Sequence, residues 1–536
     1  MPDPGTTSDS SIDRRGGDAP AAWPIAARVG LVGLLLLGWV LLGWNFSKPI
    51  TLYVDDVLVL NNVIDADIAE LAGPMEGNQV APFGFLVAVW SAVGVLGLGL
   101  ASVKATAFVS AVLSVPVFAA LVRRMCAPLP GLIVMLGFVT SVEFLLQACR
   151  VKPYTMDVLL ALLGLWVGCW VLERRLGWRE SAVLTLLAGV GVWFSIAFYI
   201  VLAGVGGVLL VTRLSRERRR ELAWLLLPAG VGVVSGACHY ALILRGQMAA
   251  ADTDAYMTSF WQSGFLPMPW VSPGGLVSGL ARGVGDATGL ALPGLVLGLA
   301  VLGAGVLLAR RGSARGWLLL APWGVAVAMS MAGVYPLGDR LALYLGPAVL
   351  LLAASGLSGL RQALPGRAGC VLLLLAGAAI LSGPIQRRGV AAFDDDVAPV
   401  FRHVHDHLEP GQHVYLFYGT YWPYEFYTQH MDPALAFPAD RLTRGGKHRD
   451  DALRYGDEVR ALRGHPEVWL IFSHASAHGG IDEEAYFKLL LDRYGQRIAE
   501  HRAWGAFAIL WRPDPADPPG ATADESTPAA ESPARP

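Results

Sequence analysis

Long apolar runs punctuated by short arginine clusters constrain this chain more than anything else in its sequence. Residues 29–46, 131–147, 222–242 and 368–381 are almost free of charge. Several approach or reach the ~20 residues an α-helix needs to cross the hydrocarbon core of a bilayer. Of 536 residues, 54% are hydrophobic and only 16% charged, with mean hydropathy +0.49. A soluble chain of this size carries roughly 25% charged residues. The expected fold class is a multi-spanning α-helical membrane protein.

The arginines give its orientation. They cluster at Arg14/Arg15/Arg28, Arg123/Arg124, Arg174/Arg175/Arg179, Arg213/Arg216/Arg218/Arg219/Arg220, Arg310/Arg311/Arg315 and Arg361/Arg367. The positive-inside rule places each cluster in the cytoplasm. Alternation then requires eleven spans, near 29–46, 102–122, 130–148, 155–172, 180–196, 197–213, 222–243, 289–309, 316–333, 340–357 and 368–383. Residues 1–28 read as a disordered cytoplasmic N-terminus, and the first run as a retained span rather than a signal peptide. Everything after residue 384 falls outside, although Arg387 and Arg388 run against the pattern. The apolar stretch 82–99 breaks the alternation if it crosses. Residues 66–99 therefore read as helices lying on or dipping into the outer interface, with Trp90 at headgroup depth; the other reading is a twelfth span.

Past residue 384 the composition turns soluble-like. Residues 412–418, 468–473 and 506–511 read as short buried strands, with helices over 421–430 and 483–494. This predicts a small extracytoplasmic α/β domain over 384–512. The Pro-, Ala- and acid-rich tail 513–536 reads as disordered. The five cysteines lie in or beside apolar segments without a CxxC pair, so no disulfide framework or thiolate metal site is indicated. A net charge of -2 with scattered basic residues gives no nucleic-acid surface.

Carboxylates beside hydrocarbon are costly to keep and are functional candidates. The pair Asp55-Asp56 follows the first span, and an N-cap just outside the bilayer is its structural alternative. On the predicted outer side stand Asp55, Asp56, Asp65, Asp67, Glu70, Glu76 and Asp157, with Lys48, Lys104, Arg150, Lys152, Arg245, Arg282 and Arg340. Four segments follow in order: Tyr53-Val54-Asp55-Asp56, Gln79-Val80-Ala81-Pro82-Phe83-Gly84-Phe85-Leu86, Val151-Lys152-Pro153-Tyr154-Thr155-Met156-Asp157 and Tyr335-Pro336-Leu337-Gly338-Asp339-Arg340.

This series resembles the polyprenyl-phosphate-sugar-dependent glycosyltransferases of the GT-C superfamily, in particular the bacterial dolichyl-phosphate-mannose-protein mannosyltransferase-like group (glycosyltransferase family 39-like). Trp261-Gln262-Ser263-Gly264-Phe265-Leu266-Pro267 is similar to that group as well. The resemblance covers roughly residues 30–350 and, more loosely, the soluble tail. It departs in carrying Asp-Asp where Asp-Glu is commoner, and one proline at Pro82 with no histidine.

The resemblance implies an inverting transfer of a sugar from a polyprenyl-phosphate donor to a hydroxyl of a lipid, polysaccharide or protein acceptor. The reaction would occur on the outer face of the plasma membrane, among membrane lipids. Asp55 is the implied general base, because the attacking hydroxyl must lose its proton. Asp56 would orient it, touch the acceptor or hold a divalent ion, the one candidate cofactor. Asp157 is a further catalytic or metal carboxylate, or a helix cap. The leaving phosphate needs positive charge, for which Lys152 and Arg340 stand first, followed by Lys104, Arg150 and Arg245. Snorkelling beside headgroups is the alternative for these cations. Tyr53, Gln79, Pro82, Tyr154, Trp261 and Tyr335 complete the implied substrate loops. The helix ends at 191–199 and 335–347 are candidate walls of a prenyl groove, or ordinary small-residue packing.

Two other classes compete. A transporter or flippase of lipid-linked or polyol substrates would place ionisable groups at mid-bilayer on broken helices. A non-catalytic cell-envelope assembly protein would tolerate loss of Asp55. His403-x-His405-x-His407 with His413 reads as solvated surface histidine rather than a metal site. The glycines at 204–207 lack the strand–loop–helix context of a phosphate loop.

Overall fold

The computed structural model describes residues 23–48, 52–214, 218–249, 260–309, 314–364, 366–386, 396–449, 451–475, 477–478 and 481–515. Residues 1–22 and 516–536, and Arg14, Arg15, Arg216, Arg310, Arg311, Arg387 and Arg388, lie outside the described residues. The chain divides into two compact units. One is Met1–Pro49 with Leu58–Ala391, and the other is Ile50–Val57 with Ala392–Pro536.

The first unit is helical. Each of the eleven expected spans falls on helix. Among the described residues, five helices are long and apolar enough to cross a membrane: Ile25–Phe46, Leu100–Met125, Tyr154–Leu172, Arg219–Ala249 and Asp339–Ala363. A sixth arises if Pro273–Thr288 and Pro293–Ala309, bent by 96°, make one broken span. Of the remaining expected spans, 368–383 falls on the continuous 20-residue helix Arg367–Gln386, and the others on shorter or interrupted helices. The one expected over 130–148 is broken into Pro128–Val139 and Val142–Gln147, because the Ser141 hydroxyl accepts the Phe144 N–H and restarts the helix as an N-cap. Stretch 82–99 forms Phe83–Leu96, whose 14 residues rise about 21 Å, less than the ~30 Å hydrocarbon core.

Small residues set how closely these helices approach. A Cβ on Gly303 would lie 1.8 Å from the Leu352 carbonyl oxygen, and one on Gly356 would lie 2.1 Å from that of Leu299. Helices Pro293–Ala309 and Gly346–Ala363 therefore touch backbone to backbone, as small residues permit within membranes. Gly204 is similarly closed by Pro322, whereas Gly206 and Gly207 face open space. At the candidate groove, Gly191 is closed by the Phe198 ring, which is helix packing.

The second unit holds a five-stranded sheet ordered β2-β1-β3-β7-β6. Its strands are β1 (His413–Leu416), β2 (Leu442–Arg444), β3 (Val468–Ser473), β6 (Gly495–Ala503) and β7 (Ala506–Pro513). β4 (Ala477–His478) and β5 (Ile481–Asp482) form a separate antiparallel ribbon. β1 runs parallel to β2 and β3, while β3–β7 and β7–β6 are antiparallel. β1 and β3 are buried along their whole length, which explains their continuous apolar sequence. Tyr415, Phe417, Tyr455, Phe472, Phe487, Phe507 and Trp511 fill the core between sheet and helices.

The Gly303 contact is testable by thermal unfolding in detergent. Gly303→Ala should destabilise the protein by about 1–3 kcal/mol through overpacking. Gly305→Ala, on the same helix with nothing within 4 Å of its Cβ position, should not. Equal melting temperatures for the two variants would contradict this packing.

Candidate active site

In the helical unit, four of the motif segments fold into contact. The Pro-Tyr step at 153–154 opens helix Tyr154–Leu172. Just before it, the Lys152 ammonium donates to Gln79 Oε1 at 2.6 Å. Segments 261–267 and 335–340 are stitched together: the Leu337 N–H donates to the Gly264 carbonyl at 2.8 Å, and the Leu266 N–H to the Ser330 hydroxyl at 3.0 Å. This places the Arg340 guanidinium 5.7 Å from the Tyr154 ring centroid and 5.6 Å from that of Trp261. Cation–π attraction of this kind grows as a site loses water, and both rings are buried.

The backbone before Arg340 is strained. Asp339 has φ 50°, and its N–H donates to the Asp286 carboxylate at 2.7 Å. Among the described residues, four non-glycine residues have positive φ: Asn78, Leu292, Asp339 and His474. Asn78 precedes Gln79 and Asp339 precedes Arg340. Such conformations persist where the surroundings enforce them, and they concentrate at ligand sites.

Deeper in the unit, Asp157 is buried on the first turn of its helix, with the Ser195 hydroxyl bonded to its carboxyl and one carboxylate oxygen without a hydrogen-bond partner. Tyr335 and Tyr344 are its electrostatic neighbours. Tyr335 donates to the Leu341 carbonyl at 3.4 Å and meets the Tyr344 ring edge-on. Arg150 and Arg340 both act on the Glu143 carboxylate. Pro82 caps Phe83–Leu96, and its two flanking N–H groups are held by Gln247 Oε1 at 3.1 Å and His239 Nε2 at 3.5 Å. Lys104 is buried on Leu100–Met125, while Arg245 is exposed at the start of Arg245–Ala249. Glu143, Asp286, Ser330, His239 and Gln247 were not singled out from sequence. Their signal was only a lone polar residue in an apolar stretch.

The acidic pair lies in the second unit. Its two carboxylates have different surroundings. Asp56 is 2% exposed, and its carboxylate accepts the Tyr53 N–H at 3.2 Å, while its own N–H donates to the Tyr53 carbonyl at 2.9 Å. This is the returning arm of a capping box on helix Val54–Leu60. Asp55, one residue earlier in the same turn, is half-buried. The Tyr53 hydroxyl shares a 2.8 Å hydrogen bond with His474 Nδ1. The Leu52 N–H donates to the Tyr427 hydroxyl at 3.1 Å. Burial holds that hydroxyl above its ordinary pKa, and Asp396 and Asp56 add to the effect.

Among the described residues, no group of three His, Cys, Asp or Glu side chains is placed to hold a metal ion. In the histidine cluster, His403 stacks on His407 at 4.2 Å and on His501 at 3.8 Å. Burial lowers the His403 pKa, and the two neighbouring imidazoles lower it further.

The capping role separates the two carboxylates experimentally. Asp56→Ala should cost about 1 kcal/mol, the usual worth of a helix cap, and speed amide exchange over 53–57. Asp55→Ala leaves the Asp56–Tyr53 hydrogen bond intact and should speed exchange over 53–57 less than Asp56→Ala does. Denaturation with hydrogen-exchange mass spectrometry checks both, and the reverse ranking would contradict the assignment.

No family model matches the chain, and no curated protein matches its sequence. Solved structures similar to it include ArnT from Cupriavidus metallidurans in the apo state, at 12% identity and TM-score 0.48, covering 90% of this chain and 98% of that one. The same protein bound to undecaprenyl phosphate aligns at 14% identity and TM-score 0.48, with the same coverage. The archaeal oligosaccharyltransferase AglB from Archaeoglobus fulgidus, in complex with an inhibitory peptide and a dolichol-phosphate, aligns at 14% identity and TM-score 0.42. That match covers 90% of this chain and 74% of AglB.

Proposed function

We propose that this protein is an integral-membrane glycosyltransferase. It moves a sugar from a polyprenyl-phosphate donor to an acceptor hydroxyl on the outer face of the plasma membrane, with inversion. The observation that carries the reading is the Arg340 guanidinium set against Tyr154 and Trp261 beside a strained Asp339. Three segments far apart in sequence supply it, each singled out for its own motif.

The chemistry assigns a part to each group. The Asp55 carboxylate takes the proton of the acceptor hydroxyl. The hydroxyl oxygen then attacks the anomeric carbon from the face opposite the phosphate. The bond from that carbon to the phosphate oxygen breaks, and the electron pair leaves with the polyprenyl phosphate. Arg340 and Lys152 take up the developing negative charge. Arg340 lies over two aromatic faces, and its planar fork suits a phosphate better than a point charge. Gln79 fixes the Lys152 ammonium. Asp56 keeps the turn that carries Asp55.

Donor and acceptor dependence, measured separately in nanodiscs with a polyprenyl-phosphate sugar, tests the phosphate assignment. Each charge-assisted contact is worth about 1.5–3 kcal/mol. Arg340→Ala should therefore weaken donor use by about one to two orders of magnitude. Arg340→Lys should recover part of it, and acceptor dependence should stay unchanged in both. Wild-type donor dependence in both Arg340→Ala and Lys152→Ala would overturn the assignment.

A further inference from the structure

Residues 50–57 form part of the second compact unit, together with the α/β residues from 392 onward. The described residues 52–57 are tied to that unit at two points. Leu52 and Val57 are fully buried, Val54 and Asp56 nearly so. Polar contacts pin the segment at two successive residues, Leu52 to Tyr427 and Tyr53 to His474. The Tyr53 and His474 rings also meet edge-on, 5.1 Å apart.

His474 is built to hold something. It follows the last residue of β3, at the carboxyl end of the parallel strands, where open α/β sheets place their working residues. Its φ is 60°, a left-handed conformation that histidine tolerates better than most residues do. Two neighbours enforce this bend. Arg449 donates to the His474 carbonyl at 3.1 Å and is paired with the buried Glu483 carboxylate at 3.1 Å. Gly419 approaches so closely that a Cβ there would lie 2.6 Å from the Ser473 carbonyl and 2.9 Å from the His474 Cβ. A strained residue, braced from behind by a buried ion pair, thus presents its ring nitrogen to the tyrosine two residues before Asp55.

We propose that the C-terminal α/β unit is the mount of the catalytic carboxylate: His474, through Tyr53, is a positioning residue that aims Asp55, with Tyr427 as the second anchor. This rests on Asp55 being the general base. A base acts only from a defined geometry, and a misplacement of ~1 Å costs about a hundredfold in rate.

The test compares Tyr53→Phe, which removes one hydroxyl, with His474→Asn, which keeps a residue that accepts positive φ, and with their double variant. Asp55→Asn and Tyr53→Phe/Asp55→Asn serve as references. Each single anchor variant should lower kcat by about 10- to 100-fold with donor KM unchanged, and should speed amide exchange over 52–57. The double variant should be no worse than the worse single, because both act through one bond. Tyr53→Phe should add nothing to Asp55→Asn. Wild-type kcat in both anchor variants beside an inactive Asp55→Asn would overturn the positioning role alone. Additive losses, or unchanged exchange over 52–57, would do the same. Wild-type turnover in Asp55→Asn would instead overturn the base itself.

Discussion

A guanidinium set into an apolar helix bundle needs partners that offset its lost hydration, and those partners organise the segments around Arg340. Arg340 obtains them from two aromatic faces on distant segments, Tyr154 and Trp261. Meeting that need fixes other features. The 261–267 loop must lie against 335–340, which the Gly264–Leu337 and Leu266–Ser330 hydrogen bonds accomplish. The chain must turn sharply just before Arg340, and Asp339 takes the strained conformation, with Asp286 holding its N–H. Helix Tyr154–Leu172 must begin where Tyr154 reaches the cation, and Lys152 is then placed against Gln79.

The C-terminal unit solves a different problem. A short acidic segment cannot hold a defined direction by its own contacts. Here the segment is pinned to residues of the α/β unit at two points, Leu52 through Tyr427 and Tyr53 through His474. Within the segment the two aspartates divide the work. Asp56 satisfies the end of its helix, and Asp55 remains the partly exposed carboxylate. Adjacent residues of the same type thus acquire different surroundings.

Much of this was legible in the sequence because the bilayer imposes a coarse rule. Apolar runs between arginine clusters became helices at every expected position. What composition could not show was where a helix breaks or falls short. Ser141 interrupts one run by capping a new helix, and Tyr240–Leu244 turns another into a π-helical segment. In the α/β unit, β1, β3 and β7 were visible as apolar runs. β2 has three residues, and β6 is an exposed edge strand rich in charge, so neither carried a hydrophobic signature. The motifs brought Gln79, Lys152, Tyr154, Trp261 and Arg340 to notice. Their supports, such as Asp286, Ser330 and His474, lay in no motif, because a residue that holds another is recognised only by where the chain folds.

The most direct measurement is sugar transfer by the purified protein in nanodiscs, supplied with a polyprenyl-phosphate sugar and an acceptor. Wild type should release polyprenyl phosphate and form an inverted glycoside. Asp55→Asn, folded and still binding donor, should be slower by about 10²–10⁴-fold, the usual contribution of a general base. Turnover within a few-fold of wild type in Asp55→Asn would contradict the account.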